Sequence, residues 1–336
     1  MPLNEPLSTD YQARVTITEA IHIYLDNVAQ ARSLHTASTY KNALNAFVRS
    51  LGEHKVIAQT TPIADLREDA IAWFASSLKS LAPTTEALYL TATAGFYEFL
   101  AAESLAQVNL HRLRLLIRQR SRRPGARLPQ FPRDAIDDIL EKIVALKNIP
   151  SDNETEHLRN LRDCAFLLTL ADTGLRVHEA CNLRRGDVDW NEGKAVLIGK
   201  GNREAVVRFS SRSLGAIKDY LSARAKLDGN SGRALTSLPL FARHDRGAGR
   251  KTQPITTTTG RNIVSQRVDQ FLGKEAHGTI TPHSFRHYFV TRILVSSGNL
   301  KLAQELARHK SIAVTQRYTH LTDDELDKGY WEAIED

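Results

Sequence analysis

Thr281-Pro282-His283-Ser284-Phe285-Arg286-His287 and, one helix later, Arg308-His309-Lys310-Ser311-Ile312-Ala313-Val314-Thr315-Gln316-Arg317-Tyr318-Thr319-His320 carry the densest chemistry in this chain of 336 residues. The 36 residues from His283 to Tyr318 hold arginine, several histidines and a tyrosine. Arginine presents a planar fork of donors that matches phosphate oxygens and stays charged at any working pH. Histidine takes or gives a proton near neutrality. A tyrosine hydroxyl becomes a useful nucleophile once a base and nearby positive charge help it lose its proton. The set is suited to handling a phosphate with a nucleophile of its own.

Working outward, Thr173-Gly174-Leu175-Arg176-Val177-His178-Glu179 follows an apolar helical stretch, Leu161 to Leu170. Gly174 allows a sharp turn, and the next helix starts near Arg176 with Val177, Ala180 and Cys181 inward. Arg176 then sits at or just before a helix N-terminus, where backbone amides favour an anion, and Glu179 lies one turn on to brace it. Three strand signals follow, Val188–Trp190, Ala195–Ile198 and Ala205–Phe209, with turns at Asn191-Glu192-Gly193 and Lys200-Gly201-Asn202. Lys200 is thereby expected at a hairpin tip, reaching into a groove to hand a proton to a leaving oxygen.

His283-x-x-Arg286, His309 and Tyr318 nine residues after it, the Thr-Gly-Leu-Arg-x-x-Glu box and Gly199-Lys200-Gly201-Asn202 together resemble the tyrosine recombinase (phage integrase) family, in its simple, Xer-like form. The resemblance implies a mainly α fold with a small antiparallel β-sheet. It further implies an N-terminal four-helix, SAM-like core-binding domain and a C-terminal catalytic domain, together a C-shaped clamp on DNA. Arg176, Lys200, His283, Arg286, His309 and the nucleophile Tyr318 are its implied catalytic residues, with Glu179 in support. The implied reaction is site-specific strand cleavage and rejoining through a 3′-phosphotyrosine, needing no ATP, cofactor or metal. The implied partner is double-stranded DNA with a specific site, met by a homodimer on one site and a homotetramer in synapsis. One position departs from the pattern: the family usually has glycine before its second histidine, and this chain has Arg308.

The remaining segments fit that layout. Residues 1–15 read as a flexible tail. Four amphipathic helices are expected in 16–107: from Ile17, from near Ser38 with Gly52 as its stop, from Asp65 to Leu78, and after Pro83. Residues 108–132 read as a basic linker; between His111 and Arg127 they hold seven arginines and no acid. A linker along a duplex neutralises phosphates and releases counterions, so Arg112, Arg114, Arg118, Arg120, Arg122, Arg123 and Arg127 are candidate DNA contacts. Arg250 and Lys251 join them from a Gly/Ser/Thr-rich loop, 228–260, whose basic patch also includes Arg243 and Arg246. The catalytic domain is expected over 133–321, with a short helix at 322–336 that the family resemblance docks into a neighbouring protomer.

Net charge is +7 and the isoelectric point near 9.4, which permits a polyanionic partner without demanding one. Length predicts two domains. No apolar run approaches a membrane span, no secretory signal is visible, and Cys164 and Cys181 read as buried, reduced thiols; the expected compartment is the cytoplasm. His283 and His287 are spaced like metal ligands, yet no carboxylate or thiol at suitable spacing completes a set. Two other functions stay open: a type IB topoisomerase relaxing supercoils, and a catalytically silent DNA-binding regulator on the same scaffold.

Overall fold

The computed structural model describes residues 15–122, 133–147, 153–198, 204–245, 247, 252–309 and 312–315. The chain divides into two compact units, Met1–Ala126 and Arg127–Asp336.

The first unit is helical. Helix α1 (Ile17–Ala31) starts at a capping box, in which Thr16 and Glu19 satisfy each other's backbone amides. It buries Ile17, Ala20, Ile21, Tyr24 and Val28, the face expected from their spacing. Of the expected tail, Val15 is described and is buried; residues 1–14 lie outside the described residues. Helix α2 (Leu34–Glu53) begins before Ser38 because Ser33 caps it, accepting from the Thr36 amide. Helix α3 (Asp69–Ser77) begins later than expected, since Ile63–Asp65 form a 3-10 turn of their own behind Pro62. Helix α4 (Pro83–Ala102) carries its proline in the first turn, where no amide partner is lost.

A fifth helix, α5 (Leu110–Arg120), occupies the first half of the expected linker, capped by Asn109 through the Arg112 amide at 2.9 Å. It buries Leu113 and packs Leu110, Leu116 and Ile117 on the first unit's core, beside Phe47, Phe74, Phe96 and Tyr97. Charge surrounds an apolar stripe, so the stretch folds onto its own unit rather than running extended.

The second unit centres on helix α7 (Glu154–Thr173), buried on nearly every side from Leu161 to Ala171. Helices α6 (Arg133–Leu146), α9 (Ser211–Ala223) and α12 (Pro282–Ser297) pack against it. Between them come α8 (Val177–Asn182) and an antiparallel sheet in the order β1 (Val188–Asp189), β2 (Lys194–Ile198), β3 (Glu204–Arg208). The β2–β3 pairing runs out to Ile198↔Glu204. The expected hairpin tip, with Lys200, lies outside the described residues. The short α10 (Ala225–Gly229), α11 (Thr257–Leu272), α13 (Leu300–Ala307) and the one-turn α14 (Ile312–Thr315) complete the described elements. The expected C-terminal helix at 322–336 is outside them. No helix among the described residues is long and apolar enough to cross a membrane.

The loop after α10 is better anchored than its composition suggested. Leu238, Leu240, Phe241, Ala242 and Ile255 are buried, and a polar network sits beneath them. The fully buried Arg224 pairs with Asp228 at 3.0 Å and donates to the carbonyls of Pro239 and Leu240 at 2.8 and 3.2 Å. Arg185 reaches the same Asp228 at 2.6 Å, and the Tyr220 hydroxyl meets His244 Nε2 at 2.8 Å. A buried guanidinium with unmet donors is costly, and here Asp228, the Tyr220 hydroxyl and the loop's own carbonyls meet those of Arg224. Cys164 and Cys181 are buried and in no disulfide, with burial pushing their thiols up to about 11 and about 12.

Candidate active site

Helix α7 ends on the Thr-Gly-Leu-Arg box. Gly174 takes φ +60° and closes the helix with its amide on the Leu170 carbonyl. A side chain there is penalised twice over, by the left-handed backbone and by Phe289, whose ring carbon lies 2.3 Å from where a Cβ would stand. The chain then buries Leu175 and presents Arg176 as the N-cap of α8. Glu179 accepts from the Arg176 amide at 2.8 Å and from its Nη1 at 3.0 Å.

Helix α12 starts at Pro282 behind a Thr281–Ser284 capping box. His283 lies in its first turn, and Arg286, 2 % exposed, in the next. Arg286 Nη1 donates to the Gly174 carbonyl at 2.5 Å, and Nη2 donates to the Ala307 carbonyl. Those carbonyls lie two residues before Arg176 and two before His309. One buried guanidinium therefore sets the spacing of both flanking segments. His283 and His287 meet edge to face with ring centroids 4.2 Å apart. Burial pushes His283 below its ordinary value, with Arg286 and Arg176 adding to the effect. Burial and its neighbours His283, Arg286 and His309 bring His287 down to about 4.

Helix α13 ends at Ala307, and Arg308 takes the left-handed conformation, φ 57°. The arginine thus stands on a glycine-like backbone, at a cost of about 1–2 kcal/mol. Its amide and that of His309 cap the Glu305 and Gln304 carbonyls at 3.0 and 3.1 Å. The Arg308 side chain crosses to Glu179, Nη2 to Oε2 at 2.9 Å. Burial alone would raise the Glu179 carboxyl, but Arg308 and Arg176 overcome that and hold it below its ordinary range. His309 Nδ1 pairs with the hydroxyl of the fully buried Thr315 at 2.9 Å. Burial, then Arg286 and Arg176, bring His309 down to about 4. At neutral pH the three histidines are uncharged, so each offers one donor and one acceptor.

Against known proteins, residues 140–325 match the model described as "Phage integrase family" and residues 22–123 match "Phage integrase, N-terminal SAM-like domain". The chain belongs to the phage integrase family. It is 30 % identical over 311 residues to a tyrosine recombinase XerC of Listeria innocua serovar 6a, covering 91 % of this chain and 94 % of that one. Two solved structures share its fold: XerH site-specific recombinase bound to difH substrate, and a lambda integrase dimer bound to a COC′ core site. XerH aligns with a TM-score of 0.65 at 18 % identity, over 97 % of this chain and 90 % of that one. The lambda integrase aligns with a TM-score of 0.63 at 18 % identity, over 95 % and 83 %. This chain is a tyrosine recombinase, mainly helical, with a SAM-like domain ahead of its catalytic domain.

In this recombinase Arg176, Glu179, His283, Arg286 and His309 converge, although they come from three separate segments. Arg176 lines two clefts, one with His283, Arg286 and Arg261, the other with Glu179, Arg308 and His309. Lys200 and Tyr318 lie outside the described residues, as do Arg123, Arg127, Arg246, Arg250 and Lys251. Within the first unit, Arg112 pairs with Glu68 and Asp69 at 3.2 and 2.6 Å, and Arg114 with Glu98 at 2.9 Å. Arg122 pairs with the fully buried Glu86 at 2.6 Å. Arg118 and Arg120 are exposed, with no ion pair among the described residues. Arg243, expected in a basic patch, pairs with Asp245 at 2.8 Å. Of the other residues here, Arg308 stood out in the sequence as a change at the turn or an added phosphate contact and His287 by a metal-like spacing from His283, whereas Thr315 was not singled out. The cation before His309 was visible as a departure from pattern; the Thr315 contact was not visible at all.

Proposed function

We propose that this recombinase cleaves and rejoins DNA at a specific site through a covalent 3′-phosphotyrosyl intermediate. Tyr318 attacks the scissile phosphorus in line and the 5′ oxygen leaves. His283, neutral near pH 7, accepts the phenolic proton. Arg176 and Arg286 hold the non-bridging oxygens and stabilise the charge that accumulates in the transition state. His309, its Nδ1 occupied by Thr315, offers Nε2 to the phosphate. Lys200 protonates the leaving 5′ oxygen. The tyrosyl ester conserves the phosphodiester energy, so a second strand's 5′ hydroxyl reverses the step without ATP. A homodimer binds one site and a homotetramer exchanges strands, with residues 322–336 docking on a neighbouring protomer. In the first unit, the exposed Arg118 and Arg120 are the favoured phosphate contacts.

The observation that carries this reading is Arg286, whose two backbone bonds tie the Arg176 segment to the His309 segment. To test it, DNA fragments retained by the purified chain are sequenced, and two copies of the recovered site are placed in a supercoiled plasmid. Recombinant junctions with wild type and none with Tyr318→Phe are expected. Relaxation without exchange would favour the topoisomerase reading. Specific binding with neither product would favour a silent DNA-binding protein.

A further inference from the structure

The mechanism above leaves Arg308 without a task, although it stands beside both Arg176 and His309. It stands on a backbone conformation that favours glycine, φ 57°, and its guanidinium is largely buried, with 12 % of the side chain exposed. One edge of that guanidinium is accounted for, because Nη2 donates to Glu179. The other is not: Nη1 is buried and has no hydrogen-bond partner among the described residues. Burying a charged donor without an acceptor is costly, and here that cost adds to the backbone strain. Both persist beside Arg176 and His309, with which Arg308 lines the same cleft.

We infer that Arg308 is a third phosphate-binding guanidinium, its Nη1 held for a non-bridging oxygen of the phosphate that Arg176 takes. This rests on the proposed reading that the cleft receives a DNA phosphate. Glu179 sets the geometry by placing Arg176 on one carboxylate oxygen and Arg308 on the other, at 3.0 and 2.9 Å. Charge balance points the same way. The three guanidinium groups of Arg176, Arg286 and Arg308 less the Glu179 carboxylate leave two positive charges. A phosphodiester brings one negative charge, and in-line attack by a phenolate adds another. Without Arg308, Arg176 and Arg286 less Glu179 leave a single positive charge. In this chain the left-handed turn serves a ligand as well as a helix end.

The test uses the full chain and a nicked duplex carrying the recovered site, with either a native or a methylphosphonate linkage at the scissile position. Arg308→Gly suits the φ 57° backbone, so its melting temperature should equal or exceed that of wild type. Its single-turnover rate of adduct formation should fall roughly 100-fold on the native linkage. Arg308→Lys should fall between, since it keeps the charge and loses the fork. On the methylphosphonate, which lacks one charged oxygen, the Arg308→Gly deficit should shrink to under about tenfold. An unchanged rate on native DNA overturns the inference. So does an equal deficit on both linkages, which would mean that Arg308 acts only through Glu179. If wild type forms no adduct at all, the recombinase reading fails, and affinity for inorganic phosphate, followed by phosphorus NMR, decides the inference alone. Weaker binding by Arg308→Gly sustains it; equal binding overturns it.

Discussion

Gly174→Ala and Gly298→Ala form a matched pair that tests how the turn before Arg176 is built. Both glycines end a helix in the left-handed conformation, at φ +60° and φ +59°. A methyl at Gly298 meets nothing within 4 Å, whereas one at Gly174 falls 2.3 Å from Phe289 Cδ1 and 2.9 Å from its Cγ and Cε1. The left-handed backbone costs an L-residue about 1.5 kcal/mol at either site. Displacing Phe289, packed in a small cluster with Val290, Ala303 and Ala307, adds about 2 kcal/mol at Gly174 alone. For a unit of this size about 3 °C is lost per kcal/mol. Gly298→Ala should therefore melt about 4 °C below wild type and Gly174→Ala about 10 °C below. The assay is a thermal melt of the full chain, with adduct formation measured well below either transition. Because the Gly174 carbonyl holds Arg286, the first variant should slow the adduct and the second should not. A difference in melting of under about 2 °C, or equal activity of the two, would refute the packing account.

Glu86 is fully buried; burial alone would raise its carboxyl, but Lys79 and Arg122 hold it at about 2 against an ordinary 4.5. Its stabilising contribution is present above pH 4.5 and is lost as pH falls toward 2. Glu86→Gln should cost about 2 kcal/mol at pH 7 in urea melts and flatten the acid limb of the first unit. His287 and His309 are held near 4 against 6.5, so between those values the unfolded chain binds protons that the native chain refuses. Urea midpoints should fall from pH 7 to pH 5, and His309→Asn should reduce that fall. On non-specific duplex, Arg118→Ala with Arg120→Ala should lower the slope of log affinity against log salt by about 2. Arg112→Ala, which breaks pairs with Glu68 and Asp69, should instead lower the melting temperature.

What was legible in the sequence was local. Gly174 before Leu175-Arg176, Pro282 opening α12, and the 3.6-residue rhythm of α1 each show in a few adjacent residues. In the charge-dense stretch the helix went unread because arginines were weighed ahead of Leu110, Leu113, Leu116 and Ile117, whose helical spacing lies in the same segment. The carboxylates that meet its arginines could not be seen there, since Glu68, Glu86 and Glu98 come from α4 or the turn before α3. Arg224 and Asp228 stand four apart, a spacing ordinary on exposed helices; only the fold shows that loop carbonyls bury them. Arg308 was conspicuous, but its meaning depends on Glu179, 129 residues away.

The most direct test traps wild type on a nicked duplex bearing its recovered site, digests the product with nuclease and trypsin, and identifies the nucleotide-bearing peptide by mass spectrometry. The account predicts a 3′-phosphonucleotide on Tyr318 and none in Tyr318→Phe. An adduct on another residue, or one that persists in Tyr318→Phe, would contradict it.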